Sequence, residues 1–221
     1  MLVWREPAGD DDDTGGGEAS TSGRPAADAP PRRLFVQAAN VGDASAALAA
    51  RYACWVNEGG GASPGTSSLR GGRAAGALRP PLRAVRLTEE HKVKSAPERA
   101  RLAAAGITLR DGETRLYGLA LSRALGDSFL KVDAASGLTA EPHVSRVACV
   151  HAGEGAFAVL ASDGLWDALS PAAAVELVAR ARLGAAAPPA TWHEAAAALL
   201  QQARARRSKD DCTVLVLGTE M

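Results

Sequence analysis

One stretch, residues 157–171, constrains the fold more than any other part of the sequence. It opens with a short apolar run bounded by turn residues, a pattern typical of a buried strand. Asp163 and Gly164 follow, and the glycine is expected to turn the chain through backbone angles closed to other residues. Asp167 comes four residues after Asp163, and Ser170 with the proline behind it predicts a helix start. Two carboxylates thus lie between a strand and a helix, either directed at a divalent cation or simply solvated.

The balance of charges excludes several kinds of partner. The 221 residues contain 25 basic and 25 acidic side chains, so no net field attracts nucleic acid or an anionic membrane. No apolar run approaches the length of a membrane span, and the N-terminus lacks the apolar core of a secretory signal. We therefore expect one domain, a monomer in the cytosol or nucleus, with no nucleic acid and no membrane among its partners.

The three cysteines do not have the spacing of a zinc site. Cys54, Cys149 and Cys212 are scattered, and neither a CxxC pair nor a Cys/His cluster is present. Reduced, buried thiols are the expectation for a protein of the cytosol or nucleus.

Two segments have the composition of disordered chain. Residues 1–33 are acidic and then rich in Gly, Ser, Pro and Ala, and cannot bury enough apolar surface to offset the entropy of ordering. Residues 58–81 form a long stretch of Gly, Ser, Arg and Pro without periodicity, which favours a disordered insertion. The ordered domain is therefore predicted over residues 34–218.

Strands dominate the first part of this domain and helices the last part. Residues 46–56 are typical of either a strand or a short helix, and Asp111-Gly112 is a hairpin signal. An antiparallel α+β fold is predicted rather than a parallel sheet. Strands are predicted from residue 34 to 40, at 82–87, 143–150, 157–161 and 212–217, with two short ones between 107 and 121.

The helix starts carry recognisable capping signals. Ser95 with Glu98, and Thr191 with Glu194, have the spacing of a capping box. The predicted helices run from Ser95 to about Gly106, from Pro171 to about Gly184, and from Thr191 to about Arg206.

Three acidic turns adjoin predicted strands. They are residues 40–43, 163–167 and 208–211, and each carries at least one aspartate. Carboxylates at strand ends, without Cys or His nearby, suit Mg²⁺ or Mn²⁺ rather than zinc. The spacing alone predicts a candidate metal site.

Several motifs in a fixed order resemble those of one family, the metal-dependent protein serine/threonine phosphatases known as protein phosphatase 2C or PPM-type. The resemblance covers residues 34–218 apart from the loop around 58–81. The matching segments are Asn40–Asp43, Leu87–His91, Leu116–Asp127, Glu141–Val144, Ala161–Asp167 and Ser208–Thr213.

The resemblance implies a protein phosphatase 2C-like sandwich of two antiparallel sheets flanked by helices, with a two-metal centre at one edge. In that family Mg²⁺ or Mn²⁺ lowers the pKa of a bridging water. The hydroxide attacks a phosphoserine or phosphothreonine of a phosphorylated protein substrate, without a phosphoenzyme intermediate.

The ligands are also implied by the resemblance, motif by motif. Asp163 and Asp210 correspond to core metal ligands, and Asp43 and Asp167 join Asp163 around a more labile ion. Asp211 stands where the family usually has Asn, so it is either a supporting residue or an alternative ligand. The segment from Ser122 to Asp127 corresponds to a structural turn, and His91 and His143 are expected in packing or surface roles.

One family motif is absent from this sequence. The family's opening strands carry Asp-Gly-His-Gly, whose aspartate bridges both ions, whereas neither Asp111-Gly112 nor Asp163-Gly164 is followed by His. The N-terminal strands of the domain are therefore expected to be missing here. Two hypotheses follow: a metal-dependent phosphatase whose site is completed by further sequence, or a non-catalytic relative that acts as a metal-binding or protein-interaction module.

Overall fold

Two antiparallel sheets and a set of helices make up the protein, as seen in a computed structural model. The structure describes residues 2–5, 33–56, 62–63, 81–131, 136–151, 153–184 and 189–218. The predicted α+β sandwich is confirmed.

The first sheet has six strands within the described residues, in the order β1-β2-β8-β4-β5, with β7 also paired to β2. Its strands are β1 Leu2–Arg5, β2 Arg33–Asn40, β4 Cys54–Val56, β5 Ala62–Ser63, β7 His143–Val144 and β8 Ala148–His151.

The second sheet has four strands in the order β10-β9-β3-β6, again all antiparallel. They are β3 Ser45–Ala50, β6 Arg83–Arg86, β9 Phe157–Ala161 and β10 Val214–Gly218. The helices are α1 Ala96–Ala104, α2 Asp163–Trp166, α3 Pro171–Leu183 and α4 Trp192–Ala205, with a 3₁₀ turn at Ser128–Leu130.

Strand β3 lies between two hydrophobic cores. Alternate side chains of a strand point to opposite faces, so Leu48 enters the core between the two sheets while Ala47 and Ala49 face α3 and α4. Every residue of β3 is buried. Small side chains on both faces explain why this alanine-rich stretch carried so weak a strand signal.

The two late helices begin where the sequence predicts. The Ser170 hydroxyl accepts a hydrogen bond from the Ala173 N–H at the start of α3. The capping box of Thr191 and Glu194 is formed in full at the start of α4.

The predicted capping box at Ser95 is wrong, although α1 is present. Ser95 makes no side-chain cap, and the Glu98 carboxylate that would complete the box is bound by Ser122, Arg101 and Arg123 instead. A distant network has thus taken over the residue that the local pattern assigned to the cap.

The two strands predicted between residues 107 and 121 are not formed. Leu116 and Leu119 bond each other through a tight turn, whose central residues Tyr117 and Gly118 both have positive φ. The Arg99 guanidinium also binds backbone carbonyls at 109, 110 and 113. These carbonyls are therefore bonded to a side chain rather than to a strand ladder.

Three smaller expectations have different outcomes in the structure. Residues 46–56 contain most of β3 and all of β4 and no helix. The expectation of buried thiols is wrong for Cys54, which is exposed, while Cys149 and Cys212 are half-buried. Strands β1 and β5, and Arg33 at the start of β2, lie inside the segments predicted to be disordered. The remainder of 1–33 and nearly all of 58–81 lie outside the described residues, so disorder there stays a prediction. Within the described ranges, every helix is too short or too polar to cross a membrane.

Candidate active site

The turn after β9 holds Asp163 in a defined position. Asp163 is the first residue of the short helix α2, and Trp166 ends that helix inside the core. The Trp166 indole N–H lies 3.2 Å from the Ser45 carbonyl and 3.1 Å from the Ala161 carbonyl. The indole therefore ties α2 to the start of β3 and the end of β9, which fixes the backbone that carries Asp163.

Gly164 serves this turn for a different reason from the one predicted. Its backbone is helical rather than left-handed, so the expectation of special backbone angles is wrong. A Cβ at this position would collide with the carbonyl oxygen of Asp211. The glycine permits close approach of two backbones, one of the uses of a missing side chain.

The turn between β2 and β3 holds Asp43. The Asn40 amide donates to the carbonyl of Glu89 at 2.6 Å and to the carbonyls of Gly42 and Ala44 at 3.4 and 3.3 Å. Gly42 has φ +93°, a conformation that other residues rarely adopt. The Asn-x-Gly-Asp pattern is therefore a turn built around the Asn40 side chain.

His91 supports the same turn from beneath. Its backbone N–H donates to the Gly42 carbonyl at 3.0 Å, and its Nδ1 accepts from the Gly42 N–H at 3.1 Å. Burial and the nearby Arg123 cation lower the pKa of His91, in keeping with a neutral ring whose Nδ1 is an acceptor. His91 is thus a packing residue, as expected, and also holds Asp43 in place.

Asp43 and Asp163 come together at this corner, and Lys92 lies between Asp43 and Asp167. Burial, and then the like charge of Asp163, raise the pKa of Asp43. The Lys92 ammonium lies 4.0 Å from an Asp43 oxygen, 3.6 Å from Asp167 and 3.4 Å from Glu90. Burial alone would lower the pKa of Lys92, but these carboxylates raise it.

Asp210 and Asp211 lie in the loop that packs against this corner. Both are exposed, and Asp210 Oδ1 accepts from the Asp211 N–H at 2.8 Å. The Ser162 hydroxyl donates to the Asp211 carbonyl at 2.9 Å, and Ser208 donates to the Gly164 carbonyl at 2.7 Å. The loop is anchored through its backbone, and both carboxylates remain directed to solvent.

The donor chemistry of the corner fits a hard divalent cation, but the donor count does not. Asp43 and Asp163 are close enough to repel each other, and a cation between them would relieve that repulsion. In the part of the chain that the structure describes, however, no three or more Asp, Glu, His or Cys side chains are grouped to hold an ion. The described residues therefore do not by themselves make a complete cation site.

A second carboxylate, Glu98, lies beneath the corner in a different environment. It accepts from Ser122 at 2.6 Å, from Arg123 at 2.6 Å and from Arg101 at 2.9 Å, and is 3% exposed. Burial would raise the pKa of Glu98, but the hydrogen bonds from Arg123, Ser122 and Arg101 outweigh it and lower the pKa to about 2. The Ser122-Arg123 pair thus has the structural role expected of it.

Sequence reasoning overlooked Lys92 entirely. It stands directly after the family-like segment Leu87–His91, and a cation next to such a motif was the available signal. Its closeness to Asp167 arises only when α2 and the end of β9 meet the β6–α1 connection.

Comparison with family models identifies the protein family of this chain. The model described as Protein phosphatase 2C matches residues 69–212, more than half of the chain. The chain belongs to the protein phosphatase 2C family. The match corresponds to the C-terminal part of the phosphatase 2C domain.

Curated relatives are named as protein phosphatases as well. Protein phosphatase 2C 70 of Arabidopsis thaliana is 44% identical over 136 residues, which cover 61% of this chain and 23% of that protein. A probable protein phosphatase of Dictyostelium discoideum is 30% identical over 187 residues, or 84% of this chain and 16% of that protein. The chain thus spans a quarter or less of the length of these curated relatives.

Solved structures share the fold. A phosphatase from Toxoplasma gondii aligns with a TM-score of 0.56 at 22% identity, over 86% of this chain and 50% of that one. A Caenorhabditis elegans sex-determining protein aligns with the same TM-score at 20% identity, over 85% of this chain and 40% of that one. At such low identity the likeness concerns the fold alone.

Proposed function

We propose that this chain is part of a Mg²⁺- or Mn²⁺-dependent protein serine/threonine phosphatase acting on phosphorylated protein substrates. The observation that carries the proposal is the meeting of Asp43 and Asp163, from turns 120 residues apart in sequence, with their charges incompletely neutralised. Membership of the phosphatase 2C family supports it further.

Within this proposal each side chain has a definite task. Asp43, Asp163 and Asp167 would contribute ligands to one ion, and Asp210 would join Asp163 at a second, with Asp211 as a support or alternative ligand and further ligands needed to complete both. When bound, the ions supply a water of lowered pKa and neutralise charge on the phosphoryl group. Trp166 and Gly164 fix the backbone that carries Asp163, and His91 and Asn40 fix the turn that carries Asp43.

The ligand assignment is tested by calorimetric titration of MnCl₂ into the full chain and into Asp163→Asn. We expect saturable heat for the wild type and its loss in the variant, because the substitution removes a charged ligand and keeps the side-chain size. Asp111→Asn, an exposed turn residue outside this corner, is the matched control and should bind as the wild type does.

Equal isotherms for the wild type and Asp163→Asn would contradict the assignment. The catalytic part of the proposal needs a separate measurement, release of phosphate from a phosphothreonine peptide with MnCl₂ present. It should be made on this chain and on the longest natural protein that contains it.

A second candidate function is a non-catalytic binding module, and the Lys92 ammonium favours it. Lys92 already offsets part of the acidic charge, and no three-ligand group exists in the described ranges. This candidate predicts no heat from MnCl₂ and no phosphate release even in the longest natural protein. Residence in the cytosol or nucleus, a monomeric state and the absence of nucleic-acid and membrane partners also remain predictions.

A further inference from the structure

Two of the three cysteines face each other across neighbouring strands. Strands β4 and β8 are antiparallel, and their register places Cys54 directly opposite Cys149. Residues opposite each other on such a ladder have Cα atoms about 4.5–5.5 Å apart. A disulfide requires about 4.4–6.8 Å between Cα atoms, so the ladder already holds this pair within bonding reach.

Both thiols lie on the outer face of the first sheet. Ala148 and Val150, on either side of Cys149, are buried in the core between the sheets, so Cys149 points the other way. Cys54, opposite it, shares that face and is exposed, while Cys149 is half-buried. Small-molecule disulfides can therefore reach Cys54 first.

We propose that Cys54 and Cys149 form a reversible dithiol–disulfide pair, oxidised by low-molecular-weight disulfides such as oxidised glutathione. The Cys54 thiolate attacks one sulfur of the oxidant and releases one reduced glutathione. The Cys149 thiolate then attacks Cys54 in the mixed disulfide, closes the cross-strand bond and releases the second glutathione. The two thiols lose two electrons and two protons, and the oxidant gains them as two thiols.

The surroundings suit the order of these two steps. Burial raises the pKa of Cys149, the neighbouring Arg33 cation lowers it, and Cys54 raises it again. Cys149 therefore reacts slowly with an oxidant in solution but is held beside any mixed disulfide formed at Cys54. Proximity then compensates for its small thiolate fraction.

The consequence concerns strand β4 of the first sheet, which lies between β8 and β5. Strand β4 has only three residues, and a bond to β8 would tie it to the centre of its sheet. An exposed bond of this kind is typical of labile, regulatory disulfides rather than of permanent ones. That chemistry is compatible with a reducing compartment, where transient disulfides occur in redox sensing.

The test uses the full chain in glutathione buffers of increasing oxidised fraction, followed by alkylation and peptide mass spectrometry. We expect the free thiols to fall from three to one, with a cross-link between the Cys54 and Cys149 peptides that dithiothreitol reverses. Far-ultraviolet circular dichroism should be unchanged, which shows that the reaction takes place in the folded protein.

Three variants make the outcome decisive. Cys212→Ser should leave the cross-link unchanged, whereas Cys149→Ser should stop at a mixed disulfide of Cys54 with glutathione, and Cys54→Ser should give no intramolecular bond. The proposal is overturned if wild-type Cys54 keeps its glutathione, if the bond involves Cys212, or if cross-linking occurs only in urea. None of these readouts depends on metal binding or phosphatase activity.

Discussion

Two neighbouring clusters, one around Glu98 and one around Asp43, differ in how the acidic charge is balanced. Glu98 is enclosed by one hydroxyl and two guanidinium groups, and its pKa falls to about 2. Asp43 has a single ammonium group, 4.0 Å away, and burial together with Asp163 raises its pKa. Both oxygens of Glu98 accept hydrogen bonds from charged or polar groups, whereas Asp43 has too little positive charge nearby to offset burial and Asp163.

The comparison separates a structural carboxylate from one suited to binding a cation. A buried charge that is fully hydrogen-bonded has nothing left to offer a ligand. Carboxylates that repel each other have too little positive charge around them, and such perturbed groups are common at functional sites. The Glu98 cluster therefore holds the scaffold, and the Asp43 cluster is the one that we propose as the cation site.

The largest expected effect is a loss of stability when Glu98 is substituted. Glu98→Gln should lower the free energy of unfolding by about 3 kcal/mol, because it leaves two partly buried guanidinium groups without their counter-charge. Urea denaturation measures the change. Glu176→Gln removes an exposed ion pair with Arg180 and should cost about 0.5 kcal/mol or less. Equal losses in the two variants would show that the Glu98 network does not carry the scaffold.

The pH dependence of stability should distinguish the same carboxylate. The pKa of Glu98 is lowered by folding, from its usual 4.5 to about 2, so its contribution is complete above pH 4.5 and is lost as the pH falls towards 2. The stability difference between the wild type and Glu98→Gln should therefore shrink across that interval. Urea denaturation at a series of acidic pH values measures it, and a difference that stays constant would contradict the assigned pKa.

On the cation side, Lys92→Met should strengthen Mn²⁺ binding. Removing a positive charge within 4.0 Å of Asp43 should raise the affinity about tenfold, or ~1.4 kcal/mol. Calorimetric titration of MnCl₂ measures it, and Lys94→Met, an exposed lysine two residues on, should leave the affinity unchanged. Weaker binding in Lys92→Met would mean that the lysine positions the ligands rather than competing with the ion.

The smallest effect is expected for Asp43→Asn without metal. A carboxyl whose pKa is raised by folding costs stability at neutral pH, so its neutral counterpart should stabilise the chain, by less than Glu98→Gln destabilises it. Urea denaturation with EDTA at pH ~7 measures the gain. The gain should vanish as the pH falls and Asp43 takes up its proton. A loss of stability at neutral pH would show that the Asp43 carboxylate is structural, as Glu98 is.

Local signals in the sequence predicted well those elements whose cause is local. The caps at Ser170 and Thr191 depend on residues three positions away, and both are formed. The apolar run of β9 is buried on either face, as its composition indicates. The order of the family-like motifs was sufficient to predict the sandwich.

The failures share a long-range cause. The capping box at Ser95 lacks its carboxylate half because Glu98 pairs with residues 24 and 25 positions away. The need for glycine at 164 comes from the backbone of Asp211, which no local pattern at Asp163-Gly164 could indicate.

The sequence by itself determined the family, the sheet-and-helix class and which aspartates are candidate ligands, because short motifs carry that information in residue type and order. Only the tertiary structure decided that His91 holds the Asp43 turn, that Lys92 lies among the acids and that Cys54 faces Cys149. The physical reason is that charge and strand register act through space, between residues that the chain order keeps apart.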